Sequence, residues 1–69
     1  MTKYHLLREA RKLIDILDTW GNVLVPTIPG QTETCAHDRL MWILSQLRDD
    51  YGVTTQEDLQ MGIASLSEA

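Results

Sequence analysis

The sequence predicts an all-α fold, an antiparallel two-helix hairpin with a short C-terminal helix, assembling as a homodimer. Three observations carry this. Two stretches of matching length show apolar residues at helical spacing, a proline-bearing linker separates them, and the first stripe is too broad for one partner helix to cover. With 69 residues there is room for one domain, and a chain of this size buries only ~60% of the surface it exposes when unfolded. One cysteine, Cys35, excludes an internal disulfide, so association is the most available stabiliser.

The first helix is expected over residues 3–20. Leu6, Ala10, Leu13, Leu17 and Trp20 recur at steps of three and four, flanked by Leu7 and Ile14 on one side and Ile16 on the other. Thr2 is placed to cap its start, and Gly21 with Asn22 to stop it. Leu6, Leu7, Leu13, Ile14 and Leu17, with Leu24 and Ile28 from the linker, form the expected dimer interface. Linker residues 21–31 hold Pro26 and Pro29, which forbid helix and favour an extended path. Leu24 and Ile28 are expected to tuck against a core or a second chain, and a short edge strand paired across a dimer axis is an alternative.

A second helix is expected over 33–51, capped by Thr32 or Thr34 and striped by Ala36, Leu40, Ile43, Leu44, Leu47 and Tyr51. Gly52 ends it, with Val53 available for the accompanying apolar contact. Thr54 and Glu57 have capping-box spacing, with Thr55 as the other candidate cap, for a third helix over 55–66. Its stripe of Leu59, Ile63 and Leu66 is narrow, and Gly62 weakens it by about 1 kcal/mol relative to alanine.

The formal charge of -4 is unevenly spread. Lys3, Arg8, Arg11 and Lys12 precede residue 13, after which only Arg39 and Arg48 oppose nine carboxylates. Nucleic-acid binders usually show the reverse balance, whereas an acidic body suits a basic protein surface. No run approaches the ~20 apolar residues of a membrane span, and neither a membrane partner nor a signal peptide is expected.

No catalytic, cofactor or metal motif emerges. Cys35 and His37 stand two apart and diverge on a helix, so Cys35 reads as a packing residue and His37 as a boundary histidine. Asp49-Asp50 and Glu57-Asp58 diverge likewise and read as a solvated rim. The segment from Thr54 to Ile63 resembles the opening of a helix-turn-helix reader. Its glycine comes too soon, however, and no Lys or Arg follows Arg48. Trp42 projects ~200° from Leu40, onto a face of Cys35, Asp38, Arg39, Gln46 and Asp49. It reads equally as an interface anchor or as core beneath the third helix or linker. Asp15 and Asp18 oppose the dipole of the first helix, which makes them candidates for serving a partner. The candidate partner-binding set is Asp15, Asp18, Asp38, Trp42, Asp49 and Asp50.

Taken together, HLLREARKLIDILDTWGNVLVPTIPG and the later HDRLMWILSQLRDDYG resemble the quorum-sensing anti-activators, small early proteins of temperate phages that infect pseudomonads. The resemblance covers nearly the full length and contains no short diagnostic motif. It implies a non-enzymatic homodimer of helical hairpins that binds the DNA-binding domain of a LuxR-type transcription regulator and blocks DNA binding. It also implies a second partner, the type IV pilus assembly ATPase, and action in the cytoplasm of the infected host. No functional residue carries over by motif; the six partner-binding candidates rest on charge and position on the helices alone. The rival readings are another phage antagonist such as an anti-CRISPR protein, a small DNA-binding regulator using Lys3, Arg8, Arg11 and Lys12, and a structural assembly factor.

Overall fold

A computed structural model describes residues 2–26 and 33–66, with Pro26 described in its backbone only. The element order is α1 (Lys3–Thr19), β1 (Leu24–Pro26), β2 (Glu33–Cys35), α2 (Ala36–Tyr51) and α3 (Gln56–Leu66). The chain is thus mostly helical, and the pure all-α expectation is corrected by a two-stranded antiparallel sheet. Leu24 pairs with Cys35, Val25 with Thr34 and Pro26 with Glu33. Residues 33–35, expected to open the second helix, are therefore strand.

Helix α1 begins where Thr2 Oγ1 accepts the His5 backbone N–H at 3.2 Å. Its end departs from expectation. Gly21 takes the left-handed turn at φ 82°, but Asn22 serves a different helix. The Asn22 side-chain oxygen accepts the His37 backbone N–H at 2.9 Å, and the Ala36 N–H reaches the Val23 carbonyl at 2.7 Å. Cys35 occupies the N-cap position without a side-chain bond, so a residue from across the β hairpin does what Thr32 or Thr34 was expected to do. Thr34 is held in β2, and Thr32 lies outside the described residues.

At the other end of α2, the Gly52 and Val53 N–H groups converge on the Leu47 carbonyl, Val53 at 3.1 Å. Gly52 adopts φ 71°, a conformation that is costly for a residue with a Cβ. For α3 the cap is Thr55, whose Oγ1 accepts the Asp58 N–H at 3.0 Å. The Thr54 and Glu57 capping box is thereby displaced by one residue.

The core is drawn from both long helices and the hairpin: Leu6, Leu7, Ala10 and Leu13 of α1, Val25 of β1, and Ala36, Ile43 and Leu47 of α2. Ile16, Leu17, Leu40 and Leu44 pack around it half-buried, as do Val53 and the α3 stripe of Leu59, Ile63 and Leu66. The broad face of α1 is covered from two directions within one chain, by α2 and by α3. This corrects the expected dimer interface, because Leu6, Leu7 and Leu13 are not free to meet a second copy. Gly62 likewise has a packing reason. A Cβ there would lie 3.0 Å from a Leu7 methyl, so its absence lets α3 settle against α1.

Two further stripe members are corrected. Trp20 is 74% exposed, because the helix turns at Gly21 before its indole can reach the core. Leu24 is 67% exposed while Val25 is buried, since neighbouring strand residues point to opposite sides of the sheet. Tyr51, at the last turn of α2, is exposed as well. Ile28 lies outside the described residues.

Candidate partner-binding surface

Helix α2 turns its apolar side inward and leaves Asp38, Met41, Trp42, Arg48, Asp49 and Asp50 in solvent on its outer side. Asp38, Trp42 and Asp49 fall within ~40° of one another at 100° per residue, so they form one line along that outer side. Asp50 lies ~100° away from Asp49, on the shoulder of the same helix. Trp42 is 45% exposed, so the indole is not part of the buried core. Met41 beside it is exposed too.

The ring is held by a contact that sequence reasoning missed. The Arg39 guanidinium carbon sits 4.5 Å from the Trp42 ring centroid, a cation–π stack. Arg39 Nε donates to Glu9 Oε2 at 2.6 Å and its Nη2 to Glu9 Oε1 at 3.2 Å, a two-pronged ion pair from α2 back to α1. Only 10% of the Arg39 side chain remains in solvent. The i to i+3 spacing of Arg39 and Trp42 signals that they are neighbours. Glu9 could not be found that way, because its meeting with Arg39 depends on how the two helices cross.

The other candidates are not gathered here. On α1, Asp15 projects ~120° and Asp18 ~180° from Glu9, so neither shares the Trp42 side. Asp15 instead borders a shallow groove between α1 and α3, with Arg11, Ile14, Gln60 and Ile63. A neighbouring groove of about 450 Å³ runs between α1, α2 and the start of α3, lined by Ile14, Leu40, Leu44, Val53 and Leu59. Ile14, 38% exposed, is thus the member of the expected dimer face on α1 that stays accessible. Both grooves have apolar walls, with Arg11 and Asp15 at the edge of the first and Arg48, Thr54 and Thr55 at the edge of the second.

Most of the Lys and Arg residues cluster on α1, before residue 13. Lys3, Arg8, Arg11 and Lys12 are all exposed on α1. On α2 the positive charge of Arg39 is matched by Glu9, and Arg48 meets Asp49 at 3.3 Å in an exposed contact between neighbours. Such an exposed pair contributes little and is readily exchanged. His37 Nδ1 stands 3.8 Å from Asp38, also exposed. No group of three or more metal-ligating side chains forms among the described residues. None of the helices there is long and apolar enough to cross a membrane. No protein-family model, curated protein or solved structure matches the chain.

Proposed function

We propose that this chain is a phage-encoded, non-enzymatic inhibitor that binds the DNA-binding domain of a host LuxR-type quorum-sensing activator and keeps it from DNA. The observation that supports this reading best is the outer side of α2. A fixed, half-exposed tryptophan stands there between Asp38 and Asp49, with the nearest cation already matched by Glu9. A DNA-reading domain presents Arg and Lys toward phosphate, and a surface of carboxylates around an aromatic anchor is complementary to it. Through the family resemblance, the proposal extends to the type IV pilus assembly ATPase as a second target and to the host cytoplasm as the place of action.

The proposal also includes a homodimer. With Leu6, Leu7 and Leu13 covered by their own chain, that dimer is built on apolar side chains still in solvent, Leu24 and Ile14. Light scattering at micromolar concentration should give two chain masses, falling to one for Leu24→Glu; a single mass for the unmodified chain removes the dimer.

The direct test is a mobility-shift assay of a LuxR-type DNA-binding domain on its promoter. Added inhibitor should release the DNA, and raised salt should weaken that effect because exposed charges are screened over ~8 Å at physiological ionic strength. An undisturbed regulator–DNA complex at saturating inhibitor rules the proposal out. The exposed cations of α1 favour a second reading, direct contact with phosphate. The same gel without regulator decides it, since a shift by the chain alone would replace the inhibitor reading.

A further inference from the structure

We propose that the open face of the Trp42 indole receives a single arginine side chain of the partner, with Asp38 as its carboxylate and Glu9 and Arg39 as positioning residues. This deepens the inhibitor reading and rests on it for the identity of the partner. One face of the ring is closed by the Arg39 guanidinium, 4.5 Å from the ring centroid. Trp42 is nevertheless 45% exposed, and with Arg39 over one face a second flat group can stack only on the other.

An aromatic face attracts cations, and a guanidinium, planar and weakly hydrated, stacks on it more readily than an ammonium. A second cation would ordinarily be repelled by the first. Here Glu9 accepts two hydrogen bonds from Arg39 and cancels its charge, at 2.6 and 3.2 Å. Asp38 lies one turn before Trp42, ~6 Å along the axis at 1.5 Å per residue, within reach of a guanidinium stacked on the ring. Asp38 stands 3.8 Å from His37, whereas Asp49 lies seven residues beyond Trp42, ~10 Å along the axis, and meets Arg48 at 3.3 Å. Asp38 is therefore the better acceptor. The occupant follows from this chemistry: a flat cation that stacks and gives two N–H bonds, which is arginine.

The test uses the full chain with Trp20→Phe, which leaves Trp42 as its one tryptophan. Hexa-arginine and hexalysine peptides are titrated while Trp42 fluorescence is followed, with helicity checked by circular dichroism. Hexa-arginine should bind about threefold to tenfold more tightly than hexalysine and perturb the Trp42 emission. In Trp42→Leu, read by peptide anisotropy, that preference should vanish while salt-sensitive attraction persists. Equal affinity for the two peptides, or a preference surviving in Trp42→Leu, overturns the proposal.

Glu9→Gln and Arg39→Met separate positioning from mere structure. Both break one ion pair and should raise acrylamide quenching of Trp42. Glu9→Gln should weaken hexa-arginine binding more, because it removes the carboxylate that offsets the guanidinium under the ring, whereas Arg39→Met removes that cation itself; equal or reversed losses remove the charge-cancelling role. The regulator gel is scored separately, so failure of either result does not move the other.

Discussion

Helix α2 has two sides built to different rules. Ala36, Ile43 and Leu47 are wholly buried against α1 and the hairpin, whereas Asp38, Met41, Trp42 and Asp49 stand in solvent on the same helix. The inner side is short of chemistry and full of contacts; the outer side has polar chemistry around a half-exposed ring stacked on Arg39. A similar contrast separates the two covers of α1. Helix α2 contributes fully buried side chains to the shared core, but α3 has none and rests on half-buried Leu59, Ile63 and Leu66 around the Gly62 contact with Leu7. Stability therefore resides in the α1–α2 interface, and α3 adds a thinner layer.

The most forceful way to break this comparison is to cut into the inner side. Leu47→Ala should cost about 2–5 kcal/mol, enough to unfold much of so small a domain, as read from urea denaturation. Gly62→Val should cost about 1–3 kcal/mol by pushing branched carbons against Leu7. Hydrogen exchange should show that loss mostly in α3, with α1 and α2 amides still protected; uniform loss would mean that α3 is not a separable layer. Asn22→Ala should cost about 1 kcal/mol, because the start of α2 loses its side-chain acceptor. Melting of Thr34→Ala beside it should show a smaller change, in contrast to a direct capping role for that threonine.

The helices were legible in the sequence because their stripes persist over several turns, as in Ala36, Ile43 and Leu47. The hairpin was not. Three-residue strands such as Leu24–Pro26 are too short to show a period, and their pairing depends on contacts across the chain. Asn22 misled for a related reason: its chemistry suits a helix stop and a helix start equally, and only the hairpin brings it to His37. The breadth of the α1 stripe signals more than one cover. Its second cover turned out to be α3, whose glycine signals weakness in isolation and close approach in the fold. On the outer side, Trp42 was conspicuous among charges, but the clamp of Glu9 and Arg39 joins residues 30 apart and has no local signature.

The measurement that bears most directly on the two-sided account of α2 pairs thermal unfolding with calorimetric binding to a purified LuxR-type DNA-binding domain, for the unmodified chain and Trp42→Ala. Removing a half-exposed anchor should leave stability within about 1 kcal/mol and weaken binding by tenfold or more, the mark of a central anchor residue. Unfolding of the variant would return Trp42 to the structural side of the helix. Unchanged affinity in a folded variant would remove the outer side of α2 from recognition.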